Sequence, residues 1–168
     1  LVFVLFGRED TGLLGSKAYV EQHLAGDRNK AARDKFSVYF NLDNGYPPIS
    51  GFYMENNDPA RAIMTEWLKP MANIGAIMPA PGHIGATDHL SFLDVGVPGF
   101  QAVQEYHTYD VRTHHTNVDT YERIREEDLK QNAIVLAWFV YSAAMTDERV
   151  QRRLAAILAA DVVGYSRL

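Results

Sequence analysis

Segments with the pattern of strands alternate with segments with the pattern of helices along most of this sequence, and that alternation limits the possible folds most. Phe36–Asp43 and Val97–Val103 are short and rich in β-branched and aromatic residues, as strands are. Leu13–Leu24 and Glu126–Met145 instead carry apolar residues at helical spacing. Strands that alternate with helices pack in layers, so the sequence predicts an α/β fold with a mainly parallel sheet.

The remaining elements follow the same alternation. Leu1–Phe6 is a continuous apolar run, which predicts a central strand of a covered sheet. Asp10 or Thr11 can cap the helix that begins at Leu13. Two further strands are predicted at Ile49–Met54 and Ala76–Met78. Two further helices are predicted at Asp58–Leu68 and Asp88–Asp94.

Composition excludes several classes of protein. The chain has no cysteine, so disulfides, thiolate metal sites and a cysteine nucleophile are excluded. The net charge of −5 argues against a nucleic-acid partner, which favours a basic face. No apolar run reaches the roughly 18 residues that span a bilayer. The length of 168 residues is that of one domain of ordinary size, which we place at residues 1–144. The amino-acid composition changes after residue 144, so residues 145–168 are predicted to begin a second unit.

Acidic residues follow two of the predicted strands. Glu9 and Asp10 come after Leu1–Phe6, and Asp43 ends Phe36–Asp43. If these strands are parallel, their carboxyl ends share one edge of the sheet, which is where open α/β sheets bind ligands. There are simpler explanations as well. Acids are favoured at a helix N-terminus, and Asp before Asn-Gly is common turn chemistry.

A polar loop contains two adjacent histidines, His114 and His115, followed by Asp119. Neighbours in an irregular loop cannot both face one point, so at most one of the two histidines is expected to bind a metal. Either Thr87 or Asp88 caps a short helix, or Asp88 orients a nearby ligand or substrate group. Carboxylates and imidazole without thiolate form the ligand set of a hydrolytic zinc site, in which Glu9 would be a candidate general base beside the candidate ligand Asp10.

Four segments together resemble one known family. Gly7–Ser16 is similar to the Gly-Glu-Glu-x-Gly-Leu-x-Gly-Ser segment of the co-catalytic zinc exopeptidases, and Phe40–Asp43 to their strand-end Asp. Thr87–Gly99 resembles their Ser/Thr-Asp-His segment with the following Gly-Val-Pro. His115–Thr120 resembles their final His-Thr-x-x-Asp-Thr motif. Tyr109–Asn117 is most similar to the plasma glutamate carboxypeptidase (carboxypeptidase Q) branch and its bacterial relatives.

The resemblance implies a truncated three-layer α/β/α sandwich, two zinc ions, a peptide or dipeptide substrate, and a secreted or periplasmic bacterial protein. It also implies residue roles. Glu9 matches the general base, Asp10 and His115 match ligands of one zinc, and Asp43 matches a ligand of the other. The resemblance further implies that three residues lie beside the ligands or the substrate, namely Asp88, His114 and Asp119.

The sequence departs from the family in two ways. Asp10 stands where the family usually has Glu, and the missing methylene draws the carboxylate back by about 1.5 Å. The family's first zinc His and its bridging Asp lie upstream of the motif at Glu9, so we expect an incomplete site and no activity from this chain alone. Two alternatives stay open, a one-zinc acyl transferase like glutaminyl cyclase and a metal-free binding domain.

The tail has a resemblance of its own. Arg149–Leu168 is similar to the opening of a class III adenylate/guanylate cyclase domain, and this implies Mg²⁺ binding at Asp161. Only the first strand of such a domain is present, so no cyclase activity is expected. Taken by its residues alone, the tail is an apolar helix or strand.

Overall fold

The computed structural model describes residues 1–43, 45–104, 109 and 111–146. Within those ranges the chain forms both helices and strands. The α-helices are α1 Leu14–His23, α2 Lys30–Arg33, α3 Arg61–Leu68, α4 His89–Leu93 and α5 Glu126–Met145. The strands are β1 Tyr39–Asn41, β2 Ile49–Tyr53, β3 Met78–Ala80 and β4 Gly99–Gln104. Short 3₁₀ turns occur at Asp27–Asn29, Asp58–Ala60, Lys69–Ile74 and Tyr121–Arg123.

The four strands form one mixed sheet in the order β1-β4-β2-β3. Strand β2 is parallel to β3 and antiparallel to β4. The pairing of β2 with β3 requires a glycine, because a Cβ at Gly51 would overlap the carbonyl group of Met78. The predicted α/β fold is therefore confirmed, and its sheet is mixed. None of the described helices is both long and apolar enough to cross a bilayer.

The chain divides into two compact units. Among the described residues, the first contains Leu1–Asn41, Ile84–Phe100 and residues 143–146. The second contains Leu42–His83 and Gln101–Ser142. Strand β4 contributes its first two residues to the first unit and its last four to the second.

Phe92 organises the core of the first unit. Its ring is 1% exposed and stacks on Tyr39, with the two centroids 4.1 Å apart. Phe6, Tyr19 and Phe36 also lie within ring-contact distance of Phe92. The buried side chains of Val20, Leu24 and Val97 complete the cluster. Because Val20 and Leu24 belong to α1 and its C-terminal end, this cluster packs α1 against α4.

The core of the second unit holds α5 against the sheet. The rings of Phe52 and Phe139 are fully buried, with centroids 4.4 Å apart. The Ile49 N–H donates to the side-chain oxygens of Gln131 and Asn132, at 2.9 and 2.8 Å. These two bonds fix the start of β2 against the first half of α5.

The predicted strand at Leu1–Phe6 is wrong. The segment forms no strand, and Leu1, Val2, Phe3 and Leu5 are exposed. Only Phe6 packs into the core of the first unit. An apolar run becomes a buried strand only when another strand lies beside it to complete the hydrogen-bond ladder, and none of the described strands does so.

Other predictions differ mainly in their boundaries. Helix α5 has the predicted bounds, whereas the strand predicted at Phe36–Asp43 is shortened to β1 and the strand predicted at Ala76–Met78 begins at Met78. The polar loop predicted to carry function, Glu105–Asp119, is described only at residues 109 and 111–119. The tail after residue 146, including Asp161, lies outside the described residues.

Replacement of Phe92 by Ala is expected to lower the free energy of unfolding by about 3–5 kcal/mol, because it removes the central ring of the first core. Urea unfolding followed by circular dichroism measures this change. Tyr121→Ala is the matched control, since Tyr121 is 83% exposed and surface changes of this kind fall within about 0.5 kcal/mol. Equal unfolding free energies for the two variants would contradict the central role of Phe92.

Candidate active site

The first candidate residues, Glu9 and Asp10, lie in a turn directly before α1. The N–H groups of Gly12 and Leu13 both donate to the Glu9 carbonyl, at 3.0 and 2.9 Å. The Glu9 side chain is half-buried and that of Asp10 is exposed. The predicted side-chain cap is wrong, because Leu13 occupies the cap position without a side-chain bond and the Thr11 hydroxyl donates to the Arg8 carbonyl.

A close backbone approach holds this turn in place. A Cβ at Gly15 would lie 2.6 Å from the Gly7 carbonyl oxygen, which is shorter than real Cβ contacts. The first turn of α1 can therefore rest on the backbone at Gly7 only because residue 15 is glycine. Glu9 and Asp10 lie between these two contact points.

Asp88 lies at the start of α4 in the same unit. The Thr87 hydroxyl accepts a hydrogen bond from the Asn41 side chain at 2.7 Å, and the Asn41 side-chain oxygen accepts one from the Tyr39 hydroxyl at 2.7 Å. Asp88 is buried and makes no side-chain cap on α4. Its Oδ1 has no hydrogen-bond partner among the described residues. A helix cap therefore does not account for this acid.

A buried contact ties the two helix starts of the first unit together. The hydroxyls of Ser16 and Ser91 lie 2.8 Å apart, joining α1 to α4. The turn with Glu9 and Asp10 leads into α1, and Asp88 leads into α4. The first unit thus carries its three candidate acids at the beginnings of two helices that pack together.

The second unit carries the other candidates on two loops. Asp43 is exposed and lies two residues after the end of β1. Next along this loop, Tyr46 meets Tyr109 edge to face, with ring centroids 6.0 Å apart. Tyr109 in turn lies beside His114, with centroids 5.1 Å apart. The loop that follows Asp43 and the loop that carries the histidines therefore meet around Tyr109.

The histidine loop is a series of tight turns. The N–H groups of Thr113 and His114 both donate to the Tyr109 carbonyl at 2.9 Å. His114 and His115 are exposed, and their ring centroids lie 4.0 Å apart. His115 has a φ of 55°, a left-handed conformation that is uncommon outside glycine. Asp119 is exposed, and its N–H donates to the Thr116 carbonyl at 3.2 Å.

The donor types fit zinc, but the number of donors falls short. The carboxylates of Asp10 and Asp43 and the imidazole of His115 are exposed oxygen and nitrogen ligands of the kind that zinc takes. Among the residues that the structure describes, however, no group of three or more His, Asp or Glu side chains is arranged to hold a metal ion. The described chain does not form a closed metal site.

Several contacts that shape these turns were not predicted from the sequence. Asn41 and Thr87 form a buried polar pair, and Tyr109 and Gly45 join the two loops of the second unit. A polar residue inside the β-rich run Phe36–Asp43 was a signal for Asn41. Tyr109 begins one of the segments with a family resemblance, but an aromatic residue in a polar loop predicts no particular contact.

Comparison with known proteins identifies a family. The sequence model of peptidase family M28 matches residues 1–140. The chain is 28% identical over 152 residues to carboxypeptidase Q of Mus musculus, a match that covers 90% of this chain and 31% of that protein. It is 29% identical over 153 residues to aminopeptidase YwaD of Bacillus subtilis, covering 88% of this chain and 32% of that protein.

Solved structures agree with these matches. A peptidase M28 precursor from Shewanella amazonensis superposes with a TM-score of 0.69 at 28% identity, over 85% of this chain and 31% of that chain. A zinc aminopeptidase from Bacillus subtilis superposes with a TM-score of 0.61 at 27% identity, over 82% and 34%. The chain therefore spans about a third of the length of these relatives.

Replacement of Gly15 by Ala is expected to loosen the turn that presents Glu9 and Asp10, because the new Cβ meets the Gly7 carbonyl. The amides of Gly12 and Leu13, which are bonded to the Glu9 carbonyl, should then exchange with solvent deuterons faster than in the wild type. Hydrogen exchange read by NMR or mass spectrometry measures this. Gly85→Ala is the control, because a Cβ at Gly85 meets nothing within 4 Å. Unchanged exchange in Gly15→Ala would show that the contact does not hold the turn.

Proposed function

We propose that this chain, which belongs to peptidase family M28, supplies the C-terminal part of a zinc-dependent exopeptidase that hydrolyses peptide bonds. The observation that carries the proposal is the agreement between the family match and the placement of the candidate residues. In each unit the candidates lie on turns or loops at the ends of helices and strands, and all but Asp88 are at least partly accessible.

The proposed reaction gives metal binding to three residues of this chain and proton transfer to a fourth. A pair of zinc ions would polarise the scissile carbonyl and lower the pKa of a bound water. Asp10 and His115 would hold one zinc, and Asp43 would hold the other. Glu9 would accept a proton from the attacking water at its carboxylate and return it to the leaving amine. Its half-buried position suits a group that must meet substrate and yet keep a fixed orientation.

Three further residues have proposed places beside the substrate. Asp88 is a buried acid whose Oδ1 has no hydrogen-bond partner in the described part of the chain, so it can accept a bond from a ligand or a substrate group. His114 lies next to the candidate ligand His115 and is exposed. Asp119 follows on the same loop. We assign these residues to orientation rather than to proton transfer.

We propose further that the site is complete only in a longer protein. Catalytic zinc sites need three protein ligands or more for each ion, and Asp10, Asp43 and His115 provide three for two ions. A first His ligand and a bridging Asp would come from the part of the relatives' length that this chain does not span. The chain alone is therefore expected to show no peptidase activity.

In the full-length peptidase that contains this chain, Glu9→Gln is expected to lower kcat by about 10²–10⁴, the usual contribution of a general base. Zinc content should stay the same, because Glu9 is not assigned as a ligand. Turnover of aminoacyl and dipeptide substrates, with metal analysis of the purified enzyme, measures both quantities. Glu21→Gln, on the exposed surface of α1, is the control that should keep full activity. Full turnover in Glu9→Gln would overturn the assignment.

A further inference from the structure

We propose that Tyr109 is a positioning residue that fixes the loop following Asp43 against the loop that carries His115. This inference rests on the proposed function, since it concerns two of the residues assigned there as zinc ligands. All the groups involved belong to the second unit. Tyr109 itself is given no contact with metal or substrate, and it acts only through the two loops.

The first contact is between the Tyr109 ring and the backbone of Gly45. A Cβ at Gly45 would overlap three carbon atoms of the ring, so the aromatic face lies directly against the glycine. Gly45 also has a φ of 88°, which other residues rarely adopt. Residue 45 must therefore be glycine for two independent reasons, its left-handed backbone and its contact with the ring. This places Tyr109 two residues from Asp43.

The second contact runs from the Tyr109 backbone to the histidine loop. Its carbonyl accepts the N–H groups of Thr113 and His114, both at 2.9 Å, and the Thr113 hydroxyl at 3.1 Å. Thr113 is 1% exposed, so this end of the loop is anchored in the protein. The Tyr109 ring also lies beside His114. One residue therefore contacts both loops, one through its ring and the other mainly through its carbonyl.

The loop after Asp43 is held from its other side by Gln104. The Gln104 side-chain amide donates to the carbonyls of Gly45 and Pro47, at 3.0 and 2.6 Å. Gln104 is 5% exposed and ends the buried strand β4. Residues 45–47 therefore lie between the buried Gln104 amide and the Tyr109 ring. Because Gln104 belongs to β4, its hydrogen bonds fix the position of these residues relative to that strand.

This arrangement has a consequence for metal binding. Residues that orient ligands without touching the metal typically change metal affinity by about 10–100-fold when they are removed. Loss of the Tyr109 ring would free the loop after Asp43 on one side while Gln104 still holds the other. Asp43 and His115 would remain present but would no longer be held in a fixed relation.

The test uses the full 168-residue chain and zinc chloride as the probe. Residue-specific NMR follows two quantities, the NOE contacts of the Tyr109 ring with Gly45 and His114, and the zinc-induced shifts of Asp43 and His115. We expect Tyr109→Phe to keep the contacts and bind zinc within about twofold of the wild type, because the ring is preserved. Tyr109→Ala is expected to bind zinc about 10–100-fold more weakly. Gly45→Ala disrupts the same contact from the other side and should resemble Tyr109→Ala.

A matched control separates positioning from general destabilisation. Tyr141→Ala removes an aromatic side chain of α5 that is 57% exposed and whose ring lies beside Trp138, and should leave the zinc response unchanged. Equal zinc affinity in the wild type, Tyr109→Ala and Gly45→Ala would overturn the inference. So would the absence of a Tyr109–Gly45 contact in the wild type.

Failure of the proposed function gives a different result. If wild-type Asp43 and His115 show no zinc-induced shift, these residues do not bind zinc in this chain alone, and their assignment as ligands is then tested by metal analysis of Asp43 and His115 variants of the full-length peptidase. The positioning role of Tyr109 is then tested by the backbone chemical shifts of the metal-free protein. Tyr109→Ala must change the backbone shifts of residues 43–46 and 114–115 while Tyr109→Phe does not, and identical shifts in both variants would overturn it. If Tyr109→Ala does not fold, Gly45→Ala provides the same comparison.

Discussion

The fully buried strand β4 is the constraint on which the rest of the structure depends. All six residues of Gly99–Gln104 are buried. At its start, a Cβ on Gly99 would lie 3.2 Å from the His89 carbonyl oxygen, so the glycine lets α4 approach closely. At its end, the Gln104 amide donates to two backbone carbonyls. A buried amide is costly unless its donors are satisfied, so the strand also fixes the course of the loop after Asp43.

Close approaches to glycine residues shape the turns that carry the candidate residues. Gly15 lets α1 rest on Gly7, and Gly45 lets a loop lie against Tyr109. In both places the contact is close enough to exclude a Cβ. The backbone beside Glu9, Asp10 and Asp43 is therefore held in place, while the carboxylates of Asp10 and Asp43 stay exposed. Exposed groups on a fixed backbone are what a binding site needs, because ligands must reach them and their geometry must persist.

The sequence predicted most of the secondary structure because most of its signals are local. Helix α5 has the predicted bounds, since a long apolar stripe preceded by Glu126, Glu127 and Asp128 marks both its period and its N-terminus. The strand prediction for Leu1–Phe6 was wrong because burial of an apolar run depends on a neighbouring strand, and no local pattern shows whether that strand is present. The predicted side-chain cap of α1 was wrong for a similar reason, since a tight turn with a glycine stands where the side-chain hydrogen bond was expected.

The candidate residues could be predicted by type and by motif, but not the contacts that organise them. Asp43, Asp88 and His115 were singled out from motifs, whereas Tyr109, Asn41 and Thr87 act through partners distant in sequence. The bond between Asn41 and Thr87 joins residues that are 46 positions apart. Such pairs depend on the completed fold, so a single sequence shows the chemical groups and not their supports.

The donors of this chain explain both the resemblance to a zinc enzyme and the lack of a closed metal site among the described residues. Carboxylate and imidazole are suitable ligand types, and each lies on a turn or loop with defined hydrogen bonds. Their number is the limiting quantity, because an ion held by one or two protein ligands keeps most of its coordination for water or other groups. A chain that spans 31% of carboxypeptidase Q can carry suitable ligand types without a closed set of them among its described residues. Among the described residues, the number of ligands rather than their chemical type is therefore what falls short of a closed metal site.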